Sequence, residues 1–103
     1  MKHCIIVTFK KEFEIEQELP TIQMLFEEAK KQKGIYAVRI YRNVIDMPNR
    51  ADLMIVIEME REALAAFDAS VIHRKWKENY AQMIEKKTIF DTCEPINKED
   101  KNG

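Results

Sequence analysis

The sequence predicts an α+β fold, a four-stranded antiparallel sheet whose elements run β-α-β-β-α-β. Three observations predict it. Four short segments alternate or run apolar as strands do, and they are separated by stretches with apolar residues at helical spacing. The connection between the second and third strands is short enough for an antiparallel hairpin. The chain is 103 residues long, 46% hydrophobic and 34% charged, which suits one globular domain with a modest core. That element order is the ferredoxin-like one.

The first strand is residues 3 to 10. His3, Ile5, Val7 and Phe9 share one face, and Cys4, Ile6 and Thr8 share the other. A charged stretch, 11 to 18, leads into a helix with Pro20 in its first turn, where the missing N–H is harmless. Ile22, Leu25, Phe26 and Ala29 then form its apolar face. Lys30, Lys31 and Lys33 read as a solvated basic helix end that suits the dipole, with Gly34 closing the helix. Residues 35 to 44 are the second strand, with Ile35, Ala37 and Arg39 opposite Tyr36, Val38 and Ile40. Asp46-Met47-Pro48-Asn49-Arg50 is turn chemistry. Leu53 to Met59 is the third strand and the most apolar.

A helix runs from Glu60 to about Ala69, with Ala63, Leu64 and Phe67 inward. Ser70 to His73 interrupts it, and a second helical stretch carries Trp76, Tyr80, Met83 and Ile84. Lys87 to Glu94 is the last strand. The domain spans 1–94, and the polar tail 95–103 is expected to be disordered. In this fold the helices cover one sheet face. The strands here are apolar on both faces, so the open face predicts a homodimer that buries it.

Composition narrows function. Net charge is −1, from 17 basic and 18 acidic residues, which argues against nucleic-acid binding. No apolar run is long enough to span a bilayer, and the N-terminus lacks the pattern of a signal peptide, so a cytoplasmic location is expected. Cys4 and Cys93 form no CxxC, and no metal-ligand pattern or cofactor motif is present; neither a metal nor a cofactor is expected.

The two histidines are the chemistry-bearing residues. His3 opens the first strand and His73 lies at the helix break, both beside apolar segments. Histidine is the side chain most ready to move a proton near neutral pH. With Phe9, Phe67, Trp76 and Tyr80 as apolar walls, the two would line a pocket between sheet and helices.

Four motifs in order, His3-x-Ile5-Ile6-x-x-Phe9-Lys10, Asp52-Leu53-x-x-x-Ile57, Ala65-Ala66-Phe67 followed by His73, and Lys86-Lys87-Thr88-Ile89-Phe90-Asp91, resemble the stress-responsive A/B barrel (Dabb) family. The resemblance covers residues 2 to about 94. It implies a dimeric α+β barrel, two four-stranded sheets with helices outside, and a small-molecule pocket within each protomer. A plant branch of the family cyclises polyketide chains by aldol condensation, and the wider group includes cofactor-free monooxygenases and haem-degrading enzymes. Carried over, His73 falls at the base that removes a proton α to a carbonyl, and His3 at the first-strand histidine of the same site. The tyrosine that accompanies the base corresponds to Phe67. Phe67 has no hydroxyl, which leaves Tyr80 or Tyr36 as the alternative donors.

Two readings follow. In one, the pocket binds a small apolar or carbonyl-containing molecule, with His73 as the base if it also reacts. In the other, the protein is a non-catalytic dimeric module. His73 then caps the helix break by bonding a free carbonyl, and His3 anchors the first strand.

Overall fold

The computed structural model describes residues 1–97. Strand β1 spans Lys2–Phe9, helix α1 Ile15–Glu27, β2 Ile35–Arg42 and β3 Leu53–Met59. Two short helices follow, α2 at Leu64–Asp68 and α3 at Val71–Tyr80, and β4 spans Ile84–Thr92. The four strands form one antiparallel sheet in the order β2-β3-β1-β4, the ferredoxin-like arrangement. The expected α+β class and element order are those of the structure. Of the tail, residues 95–97 are exposed and irregular, and 98–103 lie outside the described residues.

Register explains where the core sits. His3, Ile5 and Val7 of β1 pair with Ile57, Ile55 and Leu53 of β3, so these side chains share the helix-facing side. Ile5, Val7, Phe9, Leu53, Ile55, Ile57 and Met59 are all buried there. They meet Ile22 and Phe26 of α1, Phe67 of α2 and Trp76 of α3. Trp76 packs edge-to-face on Phe26, with ring centroids 5.1 Å apart. Fully burying each of these side chains contributes about 1.5–3 kcal/mol.

Several local expectations are corrected. Helix α1 starts at Ile15, so Pro20 lies inside it rather than in its first turn. Glu16 and Glu18 occupy the first turn, where the helix dipole favours acids, and Pro20 itself faces solvent. A register shift at Tyr36 puts Ile35 and Val38 on the same side of β2, against the simple alternation. Ile35 is consequently buried against Met59's side of the sheet, while Tyr36 is 63% exposed. Strand β4 begins at Ile84, three residues before the expected Lys87, because Phe9 pairs with Ile84.

Gly34 has φ +89° in a turn that the Ile35 N–H closes by donating to the Gln32 carbonyl (3.1 Å). A Cβ at this position would lie 3.0 Å from the Ala63 Cβ, so both the turn and the close approach need glycine. Lys30 and Lys31 form ion pairs with Glu27 and Glu28 along their own turn, as a solvated helix end should.

The other sheet face has no covering element. It carries Cys4, Ile6, Met54 and Val56, with Phe90 58% exposed and Tyr41 49% exposed. An ion pair between Arg39 and Glu58 crosses it from β2 to β3. Among the described residues no helix is long and apolar enough to cross a membrane.

Candidate functional site

The helix-facing side of the sheet closes unevenly. Strand β4 is an edge strand, and its inward residues Lys87, Ile89 and Asp91 pair with Val7, Ile5 and His3 of β1. Helices α2 and α3 pack over β1 but stop short of β4. What remains is a cleft of about 200 Å³, lined by His3, Ile5, Leu64, Asp68, His73, Trp76, Lys87, Ile89 and Asp91.

His3 enters this cleft because β1 turns it toward the helices. It is 5% exposed, and its Nδ1 lies 2.5 Å from Oδ1 of Asp91 on the neighbouring strand. With Asp91 ionised, Nδ1 carries the proton and donates to the carboxylate. That fixes the tautomer, so Nε2 is the nitrogen left to accept. Alternation puts Asp91 on one face of β4 with Ile89, and the pairing of β4 with β1 turns that face toward the helices.

His73 arrives by a different route. The break between α2 and α3 falls at Ala69–Ser70, and Ser70 is the N-cap of α3. Its Oγ accepts from the His73 backbone N–H (3.2 Å) and donates to the Phe67 carbonyl (2.6 Å). Ser70 is thus the side-chain cap of α3, and the His73 ring lines the cleft. Its Nδ1 is buried and makes no hydrogen bond of good geometry. Burial pushes the imidazole below its ordinary pKa, opposed by the Asp68 carboxylate and by the Asp68 backbone as a hydrogen-bond partner, and reinforced by Lys77 and Lys87. His73 is accordingly neutral at pH 7 and able to take a proton.

Phe67 joins the two histidines. It is fully buried, edge-on to His3 at 5.9 Å and to His73 at 5.4 Å. Its ring is the spacer on which both imidazoles rest, and it offers no hydroxyl to the cleft.

The structure thus brings His3, His73 and Trp76 to one cleft, with Phe67 beneath the histidines. It places Phe9 and Tyr80 elsewhere. Phe9 stacks on Phe13 at 4.3 Å, and Phe13 meets Tyr80 edge-on at 5.9 Å; Tyr80 lies behind Trp76, ring centroids 5.3 Å apart, and does not itself line the cleft. The Tyr80 hydroxyl donates to Glu18 (3.2 Å), and burial with that carboxylate raises its pKa to about 12. Tyr36 donates to Glu60 on the surface (2.7 Å). Neither alternative hydroxyl donor lines the cleft. Asp68, Lys87 and Asp91 were not singled out from the sequence, because which residues of β4 face the helices depends on the register with β1. Cys4 lies on the opposite face of β1, and burial, with the Asp91 charge, holds its thiol protonated. Among the described residues no three His, Cys, Asp or Glu side chains gather as a metal site.

The sequence matches no protein-family profile, and no curated protein is similar enough in sequence to be a relative. The fold is well matched among solved structures. It is similar to the Arabidopsis thaliana protein At3g17210 at 15% identity and TM-score 0.75, covering 91% of this chain and 94% of that one. A dimeric ferredoxin-like protein of unknown function from Thermobifida fusca matches at 10% identity and TM-score 0.71, covering 86% and 85%. A Dabb family protein from Mesorhizobium loti matches at 14% identity and TM-score 0.62, covering 91% and 95%. The chain therefore has the ferredoxin-like α+β fold found in a Dabb protein and in dimeric proteins of that class.

Proposed function

We propose that this protein is a homodimeric member of the stress-responsive A/B barrel family that binds a small carbonyl-containing molecule in the cleft between α2, α3 and β4. The observation that carries this reading is the convergence of two imidazoles on one cleft. One is oriented by Asp91, and the other is held below its ordinary pKa by burial at the cleft wall. Ile5, Leu64, Trp76 and Ile89 supply the apolar wall that such sites use. The dimer is supported by the apolar side chains of the open sheet face and by the dimeric proteins that share the fold. Two free cysteines fit a reducing, cytoplasmic setting.

A second reading, proton transfer by His73, is favoured by its lowered pKa. A neutral imidazole in reach of a bound carbonyl compound can remove an α-proton. Binding stands first because Phe67 leaves the cleft without a hydroxyl beside the base to hold the resulting enolate.

The test is a thermal-shift screen of wild type beside His73→Ala against aromatic β-keto compounds. A ligand at about 100 times its Kd adds about 2.7 kcal/mol, several degrees for a domain this size. The reading expects a shift in wild type that His73→Ala loses. An unchanged shift in His73→Ala refutes a histidine-dependent site.

A further inference from the structure

Each histidine of the cleft has a carboxylate beside it. Nδ1 of His3 lies 2.5 Å from Asp91, so a positive charge on that ring is answered within a hydrogen bond. The Asp68 carboxylate lines the cleft and is felt at the His73 ring, where it favours a positive charge against the burial that opposes one. Either ring can therefore hold a proton in turn, while the same two carboxylates oppose an anion in the cleft. A neutral ketone meets no such repulsion on entry. A free enolate would meet it, and Phe67 offers that enolate no hydroxyl. Enolisation here is favoured when the oxygen gains a proton as the carbon loses one. Both groups for that exchange are in place. Nδ1 is the engaged nitrogen of His3 and the buried nitrogen of His73, which leaves Nε2 of each ring to meet a ligand. The rings share one support, each edge-on to Phe67. Their surroundings differ as those of an acid and a base do, a carboxylate in contact with one and desolvation dominating the other.

We propose that the two histidines work as a pair on an uncharged ketone: His73 takes the proton α to the carbonyl, and His3, backed by Asp91, gives one to the carbonyl oxygen. The inference rests on the cleft being a ligand site and deepens the proton-transfer reading, since His3 supplies the donor that Phe67 lacks. The α C–H bond breaks, its proton goes to Nε2 of His73, and its electron pair forms the new C=C bond. The C=O π pair moves to oxygen, which takes the proton from Nε2 of His3. The product is a neutral enol, and the positive charge has passed from His3 beside Asp91 to His73 beside Asp68. Once His73 has exchanged its proton with solvent, the reverse step returns the ketone with a new α-hydrogen. His3 and His73 are the catalytic residues, and Asp91 is a positioning residue that acts through His3. Lys87 also lines the cleft, but it is exposed on the edge strand and its ammonium is hydrated there.

The experiment uses the full chain and ethyl benzoylacetate, an uncharged aryl β-keto ester. Proton NMR in D2O follows exchange of its α-hydrogens for deuterium. Quenching of Trp76, the protein's single tryptophan, measures its affinity separately. Wild type is expected to accelerate exchange over buffer alone. His73→Gln and His3→Gln are each expected to slow the catalysed exchange at least about a hundredfold, the scale of one acid or base group, with affinity kept. Asp91→Asn keeps an acceptor for the His3 Nδ1–H but removes the charge, so a smaller loss of rate with unchanged affinity is expected. That variant also decides the matter if His3→Gln fails to fold. Lys87→Met should exchange as wild type does. Exchange that survives in His3→Gln and Asp91→Asn but not in His73→Gln means that His3 only ties β4 to β1; it overturns the pair and leaves proton transfer by His73 standing. Loss of exchange in Lys87→Met with the His3 variants active makes the ammonium the donor and also overturns the pair. Binding without acceleration in wild type overturns the pair and the proton-transfer reading while the binding site stands. An ester that neither quenches Trp76 nor exchanges faster overturns the site and the pair together.

Discussion

The two ends of the helix-facing side of the sheet are built from the same two strands and come out opposite. At one end Phe9, paired with Ile84, is buried under Phe13, which meets Tyr80 edge-on. At the other, His3 and Asp91 take the paired positions, and Lys87 and Ile89 face a gap. The difference lies in what lies over β4. Where the chain supplies aromatic side chains from the α1 connection and from α3, the core closes. Where α2 ends at Asp68 and α3 restarts under Ser70, the helices leave β4 uncovered and polar groups survive on an inward face. One sheet therefore carries a packed end and a chemical end.

The largest way to break this contrast is Phe67→Ala. Removing a fully buried ring that supports both histidines should cost about 3–5 kcal/mol in a denaturant melt. Ligand response should vanish with it, since neither imidazole keeps its packing partner. Ser70→Ala is expected to cost about 1 kcal/mol, the usual loss for an N-cap. It should also weaken ligand binding, because the cap sets the turn that presents His73. At the packed end, Tyr80→Phe removes only the bond to Glu18 and should cost about 1 kcal/mol or less. Calorimetry should find its ligand affinity unchanged; a large loss of affinity would place Tyr80 functionally at the cleft.

Acid tests the chemical end with a defined sign. The folded state holds His73 below its ordinary value of 6.5, so the unfolded chain takes up that proton first. The stability contributed by neutral His73 is complete above about pH 6.5 and is lost as pH falls through the window below it. Urea melts at pH 7.5 and 5.5 should show a smaller loss on acidification in His73→Gln than in wild type. An identical loss in both would mean His73 is not held neutral by the fold.

Much of this was legible in the sequence, and the failures have physical causes. The apolar run Leu53–Met59 could only be a buried strand, and its bounds are those of the structure. The inward set His3, Ile5, Val7 and Phe9 follows from period-two alternation alone. Pro20 misplaced the start of α1, because a proline suits a first turn and its tolerated place one turn later, facing solvent, leaves no mark in the sequence. Tyr36 defeated alternation because a bulge adds one residue that no periodicity announces. The expected site joined Phe9 and Tyr80 to the histidines. His3 and Phe9 stand at opposite ends of β1, about 20 Å apart at the strand rise, and which side chains of β4 and the helices meet each end depends on pairing that local pattern does not announce. For the same reason the partnership of His3 with Asp91, 88 residues apart, needed the structure.

The central claim is that ligand enters the histidine end and not the aromatic end. With only two histidines and three tyrosines, the proton NMR spectrum of the aromatic side chains is sparse enough to test it directly. Titrating benzoylacetate into the full chain should move the Hε1 signals of His3 and His73 together, along one binding curve, while the Tyr80 ring signals, one ring behind Trp76, move less than either. Histidine signals that do not move, or Tyr80 signals that move further than they do, would contradict the account.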